Sequence, residues 1–113
     1  GEHDVRSYCY ISDLVAGLDC LEHYHEPLCV NLGNDEWIEN RQLAETIWRL
    51  VGSESEISFH PRRRGDLGWR CPDLTLAKEK LSWTPKVSLE DGLRQTIEWW
   101  KQVRAASHEV QFT

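Results

Sequence analysis

The chain has 113 residues, enough for one small domain with a thin hydrophobic core. Its formal net charge of −6 argues against general nucleic-acid binding, which depends on a basic surface. The chain carries no long apolar run and no basic-then-apolar leader, so the sequence predicts a cytoplasmic protein that does not enter a membrane.

The first half of the chain alternates between predicted strands and helices. Residues 6–11 carry β-favouring side chains that partly alternate, which predicts a strand. Ser12 or Asp13 can cap a helix that runs to about Tyr24. Residues 28–32 form a short apolar run that predicts a buried strand. The apolar residues of the helix share one face, which consists of Leu14, Val15, Leu18 and Leu21.

The second half begins with another helix and another strand. Residues 40–51 have their apolar side chains on one helical face, and Gly52 follows as a stop signal. Residues 56–60 alternate between apolar and polar side chains, which predicts a strand. Asp73 is well placed to cap a short helix over residues 74–81.

The last predicted helix begins after Ser88 and runs to about Arg104, and residues 105–113 are expected to form a loose tail. The whole order favours an α/β or α+β fold with a small, partly parallel sheet and about four helices. Right-handed crossovers would join the parallel strands.

A loop rich in arginine lies between the last predicted strand and the short helix. Four of its nine residues from 62 to 70 are arginines, and glycines stand at 65 and 68. The planar guanidinium group can donate two hydrogen bonds at once to a phosphate or a carboxylate. The loop is therefore a candidate site for a multiply charged anion.

Four groups of residues, taken in order, resemble one protein family. They are Arg-x-aromatic-x-Tyr-Ile-x-Asp at 6–13, Asn-Leu-Gly at 31–33, Arg-x-Gly-Asp at 63–66 with Arg-x-Pro-Asp at 70–73, and the closing helices with Leu-Ser-Trp at 81–83 and Leu-Glu-x-Gly-Leu at 89–93. Together they resemble the C-terminal part of the extended short-chain dehydrogenase/reductases. These are NAD-dependent nucleotide-sugar epimerases, dehydratases and decarboxylases.

The resemblance implies a nucleotide-sugar binding domain over residues 1–104 with a UDP- or dTDP-sugar as its ligand. Within the family, the Arg-x-Pro-Asp motif favours a resemblance to UDP-glucuronate decarboxylase-like members. The Arg-x-Gly-Asp motif favours UDP-glucose 4-epimerase-like members. The family's reaction starts with oxidation of the sugar by bound NAD.

Two features of the family are not found in this sequence. A glycine-rich turn between a strand and a helix, which would receive the pyrophosphate of NAD, is missing. The catalytic Tyr-x-x-x-Lys pair is missing too, because the residues four positions after Tyr8, Tyr10 and Tyr24 are not lysines. We therefore expect no catalytic residue and no bound cofactor in this chain, and no catalysis by the chain alone.

The resemblance implies roles for five residues. Arg6, Arg63 and Arg70 would grip the nucleotide diphosphate. Tyr10 would line the sugar or base pocket, and Asp66 would hold an arginine or accept a hydrogen bond from a ribose hydroxyl.

Each of these roles has a structural alternative. For Arg6 it is a surface salt bridge to Asp13 or to a neighbour. For Arg63 and Arg70 it is a run of solvated charges. For Tyr10 it is packing in the interior, and for Asp66 it is a role as a helix cap or in a turn. The remaining two arginines of the loop are expected to be solvated charges: Arg62 and Arg64.

The remaining candidate chemistry is weak. Two histidines two positions apart near a helix end, His23 and His25, are typical of polar surface, so no metal site is expected. The four cysteines match no zinc or redox spacing and are expected to be reduced and mostly buried.

The rival hypothesis is a non-enzymatic interaction or remnant module. The absence of methionine, including at position 1, suggests a processed or excised piece of a longer protein. The apolar face of the first helix would then be expected to bind a partner. That partner would be a second copy, giving a homo-oligomer, or a separate cofactor-binding Rossmann domain.

Overall fold

The computed structural model describes residues 1–109. Four helices and one small sheet make up the fold, which confirms the predicted α+β class. In chain order the elements are β1 (Val5–Ser7), α1 (Ile11–Glu22), β2 (Trp37–Glu39), α2 (Asn40–Val51), α3 (Thr75–Leu81) and α4 (Leu89–Glu109).

The sheet is built around β1. Its two strands are antiparallel, with Val5 opposite Glu39 and Ser7 opposite Trp37. On its other side, Val5 forms a parallel bridge with Trp69. The two-stranded sheet itself is antiparallel, and the parallel pairing is confined to this isolated bridge with the arginine-rich loop.

Two of the predicted strands are not present in the structure, and one strand of the structure was not predicted. Residues 28–32 and 56–60 run as irregular chain, and the second observed strand is Trp37–Glu39. A strand needs a neighbour to satisfy its amides, and no such neighbour lies beside either run within residues 1–109. No right-handed crossover joins parallel strands here, because the parallel contact is only one bridge.

Local signals define the ends of α2 and the start of α4, but not the start of α1, where the predicted caps Ser12 and Asp13 lie inside a helix that begins at Ile11. α2 has the predicted bounds, and Gly52 ends it in the left-handed region at φ 66°. Ser88 Oγ accepts a hydrogen bond from the Asp91 amide at the start of α4. At its other end α4 continues past Arg104 to Glu109, so the predicted boundary is too early. The rest of the predicted tail, residues 110–113, lies outside the described residues.

The core is small and is centred on Trp83. Leu74, Ala77 and Trp83 are its buried apolar residues, and Leu32 packs against them. α1 approaches closely because Gly17 has no side chain: a Cβ there would lie 3.0 Å from Leu32 and 3.1 Å from Trp83. A single tryptophan therefore joins α1, α3 and the chain before α2.

Asp13 ties α1 to the segment before α4. Its buried carboxylate accepts hydrogen bonds from the amides of Lys86 and Val87 at 3.0 and 2.9 Å. The Asp13 carbonyl accepts another from Trp83 Nε1 at 3.0 Å. The packed side of α1 is thus the side of Asp13 and Gly17.

Only part of the apolar face predicted for α1 is turned away from this core. Val15 and Leu18 are 55% and 53% exposed, whereas Leu14 and Leu21 are half-buried. Ile11, at the start of the helix and outside the predicted face, is 59% exposed. No helix within the described residues is long and apolar enough to cross a membrane.

Candidate functional site

A cationic concavity lies beside β1, where the arginine-rich loop returns to the sheet. Its cavity volume is about 600 Å³. It contains Arg6 and Arg70, two of the three arginines that the resemblance selected. The complete lining is Arg6, Ser7, Asn31, Trp69, Arg70, Cys71 and Pro72.

The parallel bridge brings the two arginines together. The Val5 amide donates to the Gly68 carbonyl at 2.8 Å, and the Arg70 amide donates to the Val5 carbonyl at 3.1 Å. Side chains that are in register on neighbouring strands project to the same side. One position beyond the Val5–Trp69 bridge, Arg6 and Arg70 therefore lie on the same side of the pair.

Neither arginine of the concavity is neutralised by a carboxylate among the described side chains of residues 1–107. Arg6 Nη1 donates to the Val5 carbonyl at 2.7 Å. The alternative partner, Asp13, uses its carboxylate on backbone amides instead. Two uncompensated guanidinium groups on one side of a strand pair form a suitable site for a diphosphate.

Asn31 also lines the concavity, and the sequence analysis did not select it. Its Nδ2 donates to the Asp73 carbonyl at 3.3 Å. The signal was present, because Asn31 opens the Asn-Leu-Gly motif, but that motif was used only as a landmark for the end of a strand. The amide side chain adds hydrogen-bonding capacity beside the two arginines.

Tyr10 lies in a different pocket, between the segment that follows β1, α2 and the start of α4. This pocket is mainly apolar, and Leu43, Ile47 and Leu93 are among its lining residues. The Tyr10 ring packs so closely on α4 that a Cβ at Gly92 would lie 3.3 Å from it. The structure thus agrees with the packing alternative for Tyr10 and does not bring it to the arginine concavity.

Arg63 and Asp66 lie on the exposed tip of the arginine-rich loop. The Asp66 amide donates to the Arg63 carbonyl at 3.2 Å, and Gly65 between them has φ 92°. This is the geometry of a turn. Neither residue lines the concavity of Arg6 and Arg70.

Arg62 is not the solvated charge that the sequence suggested. Its Nη2 lies 2.7 Å from Asp4 Oδ1, and the Asp4 side chain is only 5% exposed. The hydrogen bonds from the amino terminus and from Arg62 hold the pKa of the Asp4 carboxyl below its usual range. The sequence could not show this pair, because the two residues are 58 positions apart.

Asp73 acts as a local cap and not as part of the anion site. Its Oδ1 accepts from the Thr75 hydroxyl at 2.6 Å and from the Thr75 amide at 2.9 Å. These hydrogen bonds lower the pKa of the Asp73 carboxyl. Asp73 therefore caps the start of α3 as predicted, although it lies one residue before Leu74, the residue at the N-cap position.

Among the described side chains, His23 lies with Asp19 and Glu22 on the exposed surface of α1, with one ligand atom of each within 4.8 Å of the others. Exposed acidic groups of this kind are common without a metal ion, so the cluster by itself does not indicate a metal site. None of the four cysteines is paired with another, and Cys29 is exposed while the other three are half-buried. The expectation that most of them are buried is wrong.

Comparison with known proteins identifies the relatives of this chain. No protein-family model matches it. UDP-glucuronic acid decarboxylase 1 of Xenopus tropicalis is 42% identical over 97 residues, which are 86% of this chain and 23% of that protein. The UDP-glucose 4-epimerase of Thermotoga maritima, solved with UDP-glucose, is 34% identical with a TM-score of 0.84. The alignment covers 91% of this chain and 34% of the epimerase.

The chain is homologous to a segment of the extended short-chain dehydrogenase/reductases. It spans about a quarter of the length of the curated relatives that it matches. MoeE5, solved with UDP-glucuronic acid and NAD, shares the fold with a TM-score of 0.84 at 21% identity, over 91% of this chain and 35% of MoeE5. The predicted family and fold class are thereby confirmed.

The described residues do not fit the NAD that members of this family carry. A dinucleotide site needs a glycine-rich turn that leads from a strand into a helix N-terminus. Gly65 and Gly68 lie instead in an exposed loop that runs into the bridge at Trp69.

Proposed function

We propose that residues 1–104 bind a UDP-sugar through its diphosphate, with Arg6 and Arg70 as a clamp. The observation that carries this proposal is the pairing of two arginines, without carboxylate partners, on one side of the Val5–Trp69 bridge. A diphosphate offers oxygens to both guanidinium groups, and charge-assisted hydrogen bonds are the strong ones. The names of the curated relatives favour UDP-glucuronate as the sugar nucleotide.

The same proposal assigns binding and not chemistry to these residues. The Tyr-x-x-x-Lys pair of the family does not occur in residues 1–113. The clamp would orient the sugar nucleotide, while oxidation of the sugar would need groups that this sequence does not contain. Arg63 and Asp66 do not line the concavity and have no part in this proposal.

Isothermal titration with UDP, UDP-glucuronate and uridine tests the proposal. We expect UDP and UDP-glucuronate to bind with a Kd between about 10 μM and 1 mM, in the range of −4 to −7 kcal/mol. Uridine has no diphosphate and should bind at least about tenfold more weakly, since it loses more than one charged hydrogen bond. The absence of binding at several millimolar UDP would contradict the proposal.

The exposed face of α1 supports a second candidate function, the binding of a protein partner. Ile11, Val15 and Leu18 are each more than half exposed and follow one another at helical spacing. Such a stripe marks an interaction surface. The partner would be a Rossmann domain or a second copy of this chain.

Sedimentation at high protein concentration tests this second function for the case of a second copy. We expect the chain to self-associate, and Val15→Lys combined with Leu18→Lys to leave a monomer, because lysines cannot be buried in an apolar contact. Val51→Lys is a matched control, since Val51 is a 44% exposed apolar residue on α2. A monomeric wild-type chain would count against self-association.

A further inference from the structure

Arg62 joins two parts of the chain that are far apart in sequence. Its Nε and Nη2 both reach Asp4 Oδ1, at 2.8 and 2.7 Å. Asp4 precedes β1 directly, and its carbonyl accepts a hydrogen bond from the Asn40 amide at 2.9 Å. The pair therefore anchors the beginning of the arginine-rich loop to the residue that directly precedes β1.

The guanidinium of Arg62 also lies over Gly68. A Cβ at Gly68 would stand 2.5 Å from Arg62 Nη2 and 2.8 Å from Arg62 Cζ. The φ of Gly68 is not in the left-handed region, so its backbone does not require glycine. A Cβ at this position would displace the end of the flexible Arg62 side chain, which occupies that space.

This contact continues into the proposed clamp. Gly68 accepts the hydrogen bond of the Val5 amide, and Arg70 donates to the Val5 carbonyl. The residues at 61–67 are all exposed, so few packing contacts hold the loop. Arg62 closes the loop at both ends, on Asp4 and on Gly68.

We propose that Arg62 is a positioning residue, which holds the loop so that Arg70 lies in register with Arg6. This inference rests on the proposed function, because the clamp is the site that Arg62 would serve. Arg62 need not touch the ligand. It acts by restricting the conformations of the loop before the ligand binds. Less conformational entropy is then lost when Arg70 contacts the ligand.

The first test compares Arg62→Ala with Arg64→Ala in titrations with UDP. Both substitutions remove one positive charge from the same loop, but Arg62 pairs with Asp4, whereas Arg64 forms no ion pair with the described side chains of residues 1–107. We expect Arg62→Ala to weaken UDP binding about tenfold, as a loss of preorganisation, and Arg64→Ala to change it by less than about twofold. Equal effects of the two variants would overturn the proposal.

The sign of the effect of Asp4→Asn provides a second test. Removing a negative charge should strengthen the binding of an anion if only long-range charge matters. The positioning role predicts the opposite, because Arg62 loses its ionic partner. Tighter UDP binding by Asp4→Asn would contradict the proposal.

Gly68→Ala tests the contact with Arg62 itself. In the wild-type background the new methyl group would displace the guanidinium, so UDP binding should weaken about as much as in Arg62→Ala. In the Arg62→Ala background the space is empty, so Gly68→Ala should cause no further loss. Additive losses would show that the two residues act independently.

Amide hydrogen exchange gives a readout that needs no ligand. Arg62→Ala should accelerate exchange at Val5 and Arg70, whose amides form the bridge, and leave the α3 amides unchanged. Faster exchange in a protein that does not bind UDP would retain the positioning role and refute the proposed function. Unchanged exchange at both amides would overturn the positioning role.

Discussion

Arg70→Ala is expected to weaken the binding of UDP by about 30- to 150-fold, which corresponds to about 2–3 kcal/mol. The reason is that Arg70 is one of two guanidinium groups in the concavity and no carboxylate within the described residues neutralises it. Its loss removes charge-assisted hydrogen bonds to the diphosphate without breaking an ion pair of the fold. Isothermal titration of the variant with UDP measures the effect.

Two further variants define what the Arg70 result means. Arg70→Lys keeps the charge but loses the planar fork, so its affinity should lie between those of the wild type and Arg70→Ala. Arg64→Ala is the control for charge on the loop and should bind UDP nearly as well as the wild type. The melting temperature of Arg70→Ala should be unchanged, because Arg70 is exposed and its backbone hydrogen bond is retained. UDP binding by Arg70→Ala at wild-type affinity would refute the clamp.

The sequence predicted this pair of arginines but not their surroundings. Arg6 and Arg70 were found through the order of short motifs, since family resemblance carries information about contacts that local patterns lack. The exclusion of Arg63 from the concavity was not predictable, because the loop residues that line it are selected by the long-range bridge between Val5 and Trp69. The Asp4–Arg62 pair is a long-range contact between residues of ordinary type.

The helices were easier to predict than the strands for a physical reason. α2 was predicted to the residue because an amphipathic period and a stopping glycine are both local signals. β2 has three residues and depends on β1 for its hydrogen bonds, so no local signal defines it. The apolar run at 28–32 predicts a strand, but these residues form irregular chain. Val30 and Leu32 nevertheless pack against the core that contains Trp83.

The orientation of α1 shows where periodicity misleads. The face of Val15 and Leu18 is the more apolar one, and a single-domain argument would bury it. The structure instead packs Asp13 and Gly17 inward, because a carboxylate can satisfy two amides there and a glycine admits Trp83. An apolar stripe that the chain leaves exposed is the feature expected of a surface with a partner.

Trp83→Ala is expected to lower the free energy of unfolding by about 3–5 kcal/mol, the range for removing a large aromatic side chain from a core. Trp83 is 5% exposed and packs with Leu74 and Ala77, the only other buried apolar residues within the described part of the chain. A small domain has a total stability of only about 5–15 kcal/mol, so the variant should be partly unfolded at 37 °C. Urea denaturation followed by circular dichroism measures the change.

Trp83→Phe and Trp69→Ala separate the contributions to this loss. Phenylalanine fills most of the cavity but cannot donate to the Asp13 carbonyl, so Trp83→Phe should lose about 1–3 kcal/mol. Trp69 is 61% exposed, and its removal should cost less than about 1 kcal/mol. Gly17→Ala would force a methyl group to within 3.1 Å of the Trp83 ring, and in the Trp83→Ala background that part of its cost should disappear. If Gly17→Ala cost the same in both backgrounds, α1 would not be held to the core through Trp83.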